Sequence, residues 1–299
     1  MSVTAERAGQ FRLGDRMVNR MGYGTMQLTG PGVMGPPADR DGAVAVLRRA
    51  VELGVDHIDT SDYYGPHVVN EIVREALHPY PDGLTIVTKV GARRTPDGHW
   101  PAALRPDELR RAVQDNLDHL GLDVLDVVNL RMPGFAEPVE RSLAEPFETL
   151  AKLQQQGLIR HLGVSNVTPQ MLAEAQSIAP VVCVQNHYNV VERRDDPLVD
   201  ALADEEIPYV PYFPLGGFSP LRSAALEAVA RRLETSPMVV ALTWLLQRSP
   251  TILVVPGTKS LVHLEENLTA SAHVLGPVEL EELERIGGSG DPDTDLVDL

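Results

Sequence analysis

Along most of the chain, short apolar runs alternate with stretches whose apolar residues recur every three or four positions. "GAVAVLRRAVEL" puts Val44, Leu47 and Val51 on one helical face and leads into the strand "VDHIDT". Helix "NEIVREAL", strand "LTIVTKVG" and helix "PDELRRAVQDNLDHL" follow. Strand "LDVVNLR" precedes helix "AEPFETLAKLQQQG", in which Gly157 is expected just past the helix end. Next come strand "IRHLGVSN", helix "TPQMLAEAQSI", strand "VVCVQNHY", helix "PLVDALADEE" and strand "IPYVPYFPL". Helices "LEAVARRLE" and "MVVALTWLLQRS", strand "TILVVPG" and helix "LVHLEENLTA" complete the series.

With "RMGYGTM" near the start, the pattern predicts eight strands alternating with helices. The strands are Val- and Ile-rich and suited to burial on both faces, as in a parallel sheet. Eight such units in 299 residues predict an α/β fold, a single (β/α)8 barrel domain over residues 1–299. A doubly wound open sheet is the alternative. "FRLGDR" and "MVNR" predict an N-terminal β-hairpin across the barrel floor. The Gly-rich acidic end, about 288–299, is expected to be a loose tail.

The net charge of −16 narrows the partners. Nucleic acid needs a basic face to displace counterions, and an anionic membrane repels such a chain. An anionic cofactor would have to be held by a few local cations and backbone N–H groups, against the global field. The one cysteine, Cys183, lies in the apolar run "VVCVQN" and is expected to be a small buried hydrophobe, which suits a reducing cytoplasm. "MSVTAERAGQFRLGDR" lacks the apolar region of a signal peptide, and no apolar run reaches the length of a membrane span.

In a barrel of parallel strands, chemistry sits where the strands end. Those ends hold Gly24-Thr25-Met26, Asp59 to Tyr64, Lys89, Asn129 to Arg131, Ser165-Asn166, Gln185-Asn186, Tyr212 and Gly257-Thr258-Lys259. A lysine inside "TIVTKVG" is costly to bury alone. Asp59, on the adjacent strand, is its expected partner. "GVDHIDTSDYYGPH" on its own also reads as a turn entering a helix, because Asp, Ser and Gly are common there.

Taken in order, these strand ends resemble the aldo-keto reductase family over nearly the whole chain, from "MGYGTM" to "LEEN". "DTSDYYG" resembles the family's D-T-A-x-x-Y-G motif, and "VTKVG" supplies its lysine. "GVSNV", "VQNHYN", "PYFPLGG" and "VPGTKS…LEEN" resemble its G-x-S-N, Q-N-x-Y, Y-S-P-L-G and cofactor-clamp segments. Within the family, "LTIVTKVGARR", "LDVLDVVNLR" and "PYFPLGGF" are similar to the bacterial pyridoxal reductase branch, also called pyridoxine 4-dehydrogenases.

The resemblance implies reduction of an aldehyde, pyridoxal first among candidates, by NADPH. Tyr64 would be the general acid. Tyrosine ordinarily holds its proton to a pH of about 10, and a neighbouring ammonium lowers that value. Lys89 is expected to do this, with Asp59 holding Lys89 charged and in place. For the cofactor, the resemblance implies Gly24, Thr25 and Met26 at the first strand end, and Ser165, Asn166 and Gln185 on the nicotinamide carboxamide. Tyr212 would stack on the ring, with Phe213, Leu215 and Gly216 near the pyrophosphate. Gly257, Thr258, Lys259, Ser260 and His263 would meet the 2′-phosphate, and Glu266 and Asn267 the adenine. Met26, Tyr64, Trp100 and Arg131 would face the substrate. The protein is expected to act as a monomer or weak homo-oligomer.

Two positions depart from the family pattern. Arg131 stands where the family has a histidine, and His263 stands where it often has a more basic residue. Arg131 is open to a role at the substrate oxygen or to pairing with Asp59 or Glu137. Asn186 is open to satisfying backbone groups, Met26 and Trp100 to ordinary packing. His57 is expected in the core and His67 at the surface. Two other classes stay in view. "GVSNV" is one glycine short of a hydrolase elbow, although no His–Asp pair accompanies it. A non-catalytic cofactor-binding subunit on the same fold is the third reading.

Overall fold

The computed structural model describes residues 3–134, 137–218, 221 and 223–286. The expected acidic tail lies outside them. Two strands, β1 (Gln10–Leu13) and β2 (Arg16–Asn19), form the N-terminal hairpin. Six more form one parallel sheet in sequence order: β3 (Tyr23–Gly24), β4 (His57–Asp59), β5 (Thr85–Val90), β6 (Leu125–Arg131), β7 (Ile159–Ser165) and β8 (Val181–Gln185).

Helices α1 (Arg40–Glu52), α2 (Val68–Leu77), α3 (Pro106–Leu120), α4 (Ala144–Gln155) and α5 (Pro169–Ile178) alternate with these strands. After β8 come α6 (Asp196–Asp204), α7 (Ala224–Arg232), α8 (Pro237–Arg248), α9 (Leu261–Thr269) and α10 (Pro277–Glu284). Local chemistry sets many of the boundaries. Thr168, Ser223, Ser236 and Ser260 each accept a hydrogen bond from a first-turn backbone N–H. Proline opens α3, α5, α8 and α10, where its missing N–H costs nothing. Gly157, at φ +81°, follows α4 in the left-handed region, as expected.

The seventh and eighth predicted strands are the main difference from expectation. "IPYVPYFPL" and "TILVVPG" form isolated parallel bridges rather than continuous ladders among the described residues. Tyr209 bridges Val184 and Ile252, Tyr212 bridges His187, and Val254 bridges Met21. Pro208, Pro211 and Pro214 remove every third backbone donor from the first run, and Pro250 and Pro256 flank the second. The bridges nevertheless carry main-chain hydrogen bonding from β8 round to the chain just before β3. Val210 N–H donates to Val184 O at 2.8 Å, Leu253 N–H to Tyr209 O at 3.0 Å, and Gly22 N–H to Val254 O at 2.8 Å.

The apolar core has two layers. The larger lies between sheet and helices. The smaller lies inside the curled sheet and joins Val87, Val127, Cys183, Val210, Leu253 and Val255 to Leu13 and Val18 of the hairpin. Side chains alternate across a strand with period two. The inner face that holds Val87 therefore next holds Lys89, and the face of Val127 continues to Asn129 and Arg131. Gly163 shares this face because a Cβ there would come within 2.0 Å of Asn129 Oδ1 and 2.7 Å of Cys183 Sγ. Cys183 is buried as expected, its thiol donates to Asn129 Oδ1 at 3.2 Å, and burial pushes its pKa up to about 12.

Candidate active site

The inner face turns polar at the carboxyl ends of β4 to β8. Lys89 and Asp59 are 5% and 6% exposed. Lys89 Nζ donates to Asp59 Oδ1 at 2.5 Å and to Thr60 O at 3.0 Å. Gln185 Nε2 donates to the other carboxylate oxygen at 2.8 Å. Both oxygens of Asp59 are thus bonded. The pairing expected from adjacent strands is present, and it is how a buried ammonium avoids an unpaired charge.

Tyr64 is buried beside this pair. Lys89 Nζ lies 5.4 Å from its ring centroid. Tyr63 and Trp100 pack edge-on to Tyr64, with centroids at 5.3 and 6.3 Å. The expected effect of Lys89 on Tyr64 differs in the structure. Burial, reinforced by the charge of Asp59, raises the Tyr64 pKa, and the opposing charge is Arg131. Lys89 Nζ donates to Asp59 and Thr60 and lies over the Tyr64 ring. Burial and then Tyr64 push Tyr63 up to about 12.

Arg131 ends β6, half-buried. Its Nη2 donates to Gly134 O at 2.9 Å and its Nη1 to Met132 O at 3.4 Å. Among the described residues it pairs with neither Asp59 nor Glu137, and Glu137 instead meets Arg194 at 2.9 Å. The guanidinium charge acts on Tyr63, Tyr64 and Tyr212 alike. It holds its own loop through carbonyls and remains a cation facing the tyrosines.

These groups line an open cleft. Gly24, Met26, Asp59, Tyr64, Lys89, Trp100 and Arg131 line it, as do Ser165, Gln185, Tyr212, Phe213, Leu215 and Gly257. The other predicted residues do not. Thr25 is buried and donates to Thr60 Oγ1. Asn166, at φ +59°, donates its amide to Met132 O and Pro133 O, and its Oδ1 accepts from Tyr212. Asn166 is thereby a loop brace in this structure, not an open amide. Asn186 likewise braces its surroundings, bonding Val167 at both backbone groups and Asp195. Gly216 adopts φ +91° beside the cleft. Thr258, Lys259, Ser260, His263, Glu266 and Asn267 form a flank at the start of α9. Thr258 O accepts from Tyr23, Ser260 caps α9, Asn267 is buried, and Lys259 and His263 are exposed.

The sequence reading missed several contributors. Tyr63, Gln27, Pro214, Gly217 and Phe218 also line the cleft. The Arg94 guanidinium stacks 3.9 Å from the Trp100 ring and fixes that wall. His187 stacks on Tyr212 at 5.5 Å and 9°. Tyr63 lies inside the "DTSDYYG" motif and was within reach of a sequence argument. Arg94 and His187 carry no local signal for these contacts.

Gln185 Oε1 is buried without a hydrogen-bond partner in a cleft-lining side chain. An orphaned acceptor there is costly unless a ligand donor meets it. A primary carboxamide is such a donor, and Ser165 stands close by in register. The residues present therefore fit a nicotinamide ring near Tyr212.

Comparisons with known proteins identify the family. A family model described as "Aldo/keto reductase family" matches residues 20–287. A pyridoxine 4-dehydrogenase from Escherichia coli is 59% identical over 278 residues, which cover 92% of this chain and 97% of that protein. An uncharacterized oxidoreductase from Schizosaccharomyces pombe is 38% identical, covering 97% of this chain and 94% of its own. Among solved structures, an aldo-keto reductase from Klebsiella pneumoniae in complex with NADPH superposes with a TM-score of 0.78 at 25% identity, covering 94% of this chain and 96% of that one. The chain belongs to the aldo/keto reductase family.

Proposed function

We propose that this oxidoreductase reduces pyridoxal to the primary alcohol pyridoxine with NADPH, within vitamin B6 metabolism in the cytoplasm. We read its bridged sheet as a closed (β/α)8 barrel in one domain, with the hairpin as its floor. The observation that carries the reading is the buried Lys89–Asp59 pair beside Tyr64 at the bottom of an aromatic cleft whose Gln185 acceptor is orphaned. Identity of 59% to a pyridoxine 4-dehydrogenase supports the substrate.

NADPH, when bound, supplies the hydride. Ser165 and Gln185 would orient the carboxamide, Tyr212 would support the ring, and Lys259, Thr258 and Ser260 would take the 2′-phosphate. Tyr64 donates its proton to the carbonyl oxygen as charge develops there. Its raised pKa keeps that proton in place until then, and an alkoxide is a strong enough base to remove it. Lys89 and Arg131 stabilise the negative charge that reaches the tyrosine oxygen. Asp59 keeps Lys89 paired and aimed. Arg131 is always cationic, with donors in a planar fork. Pyridoxal carries an acidic 3-hydroxyl beside its aldehyde, so one guanidinium can meet both oxygens.

The test is NADPH oxidation with pyridoxal, 3-deoxypyridoxal, pyridoxal 5′-phosphate and simple aromatic aldehydes. We expect kcat/KM for pyridoxal to exceed those of its 3-deoxy analogue and of the simple aldehydes. Equal rates across the panel would reduce the reading to a general aldehyde reductase. No turnover with any aldehyde would leave a cofactor-binding protein.

A further inference from the structure

Away from the cleft, two histidines converge on one buried carboxylate. Asp62 follows β4, His67 precedes α2, and His119 lies in the last turn of α3. His67 Nδ1 lies 2.6 Å from Asp62 Oδ2, and His119 Nδ1 lies 2.8 Å from Asp62 Oδ1. One donor atom from each residue falls within 4.8 Å of the other two. The imidazoles lie with centroids 4.6 Å apart. Nothing in the proposed reduction uses these three residues.

Several features go beyond a chance hydrogen-bonded cluster. The carboxylate is held from behind: Asn70 Nδ2 donates to Asp62 Oδ1 at 3.2 Å and to Asn116 Oδ1 at 2.9 Å. Asn116 in turn accepts from Thr88, and Asn70 Oδ1 accepts from Thr60. This buried chain fixes the oxygen ligand, as outer-shell partners do in metal sites. The histidines are accessible, with side chains 49% and 29% exposed, so water can complete a coordination sphere. His119 sits at a helix C-terminus, where the dipole favours a cation. Glu71 and Asp115 add negative potential at His67. Two histidines and one carboxylate are a donor set suited to zinc, cobalt or nickel and poorly suited to magnesium or calcium.

We propose that Asp62, His67 and His119 form a binding site for one divalent ion of the zinc class, ligated through Asp62 Oδ and the two Nδ1 atoms. The metal replaces the Nδ1 protons that now bridge to Asp62. Those protons leave to solvent or move to Nε2, and each imidazole binds as the neutral ligand. Because Asp62 lies between Asp59 and Tyr64, the ion ties the loop that carries Tyr64 to α3.

Cobalt(II) is the probe, added to metal-free full-length protein, with ligand-field absorption and titration calorimetry as readouts. We expect one equivalent bound with imidazole-type bands, displacement by zinc, and no competition from magnesium or calcium. His67→Gln and His119→Gln should each weaken binding by roughly a hundredfold or more, since even outer-shell changes cost about 10- to 100-fold. Zinc should raise the melting temperature of the wild type but of neither variant. If wild-type protein binds no cobalt, or both folded variants bind it as tightly as the wild type, the site is wrong and the cluster is only a hydrogen-bonded brace.

Discussion

Two lysines of the proposed site are held in opposite ways. Lys89 is buried, with its ammonium committed to Asp59 and Thr60. Lys259 is exposed at the start of α9 and makes no hydrogen bond or ion pair among the described residues. The first charge is fixed before any ligand arrives, and its field is strong because water is excluded. The second is a solvated point charge that gains a partner only when an anion comes. In the proposed reaction, preorganised charge would serve the chemical step and solvated charge would serve affinity and cofactor choice. That contrast can be broken from either side.

The largest effect is expected from Lys89→Met. It leaves Asp59 buried without its cation, which costs roughly 3–5 kcal/mol of stability. Urea denaturation would show the shift, and turnover of the folded fraction should fall as well. A variant as stable as the wild type would mean that Gln185 alone suffices to hold Asp59.

Arg131→His is the intermediate case, because Arg131 is half-buried and already bonded to its own loop. Losing one charge-assisted contact worth about 1.5–3 kcal/mol predicts a fall in kcat/KM for pyridoxal of roughly ten- to a hundredfold. Simple aromatic aldehydes should be little affected. Equal losses on both substrates would mean that Arg131 does not read the 3-hydroxyl and acts only through Tyr64 or through its loop contacts to Met132 and Gly134.

Lys259→Ala should have the smallest effect. Its partner would be an exposed phosphate, screened by salt. NADPH affinity should fall by about two- to tenfold, with NADH affinity unchanged, in fluorescence titrations at low salt. If the wild type binds both cofactors equally, Lys259 does not read the 2′-phosphate.

Much of this was legible from the chain because parallel strands buried on both faces must be written in Val and Ile. That requirement exposed β4 to β8, and the run "PDELRRAVQDNLDHL" coincides with α3 (Pro106–Leu120). The runs around Tyr209 and Val254 looked equally strand-like. Their prolines turned them into isolated bridges, because apolar content says nothing about which N–H groups are missing. The acidic stretch of α10 gave too weak an apolar face to be read as a helix. At the site, Asp59–Lys89 followed from adjacency of strands. The Tyr64 pKa did not, because burial and then the charge of Asp59 raise it. Asn166 matched a motif, yet its amide serves Met132 and Pro133. His119 meets Asp62 across 57 positions of sequence, a contact that only the packing of α3 against α2 creates.

The central claim is that Tyr64 gives up the proton while the buried pair beside it stabilises the charge left behind. The direct measurement is a single-turnover reaction of Tyr64→Phe with NADPH and pyridoxal, alongside NADPH binding by fluorescence. The account predicts cofactor affinity near that of the wild type and a rate of pyridoxine formation reduced by roughly 10²–10⁴-fold, the usual scale of general acid catalysis. Pyridoxine formation at the wild-type rate in this variant would contradict it.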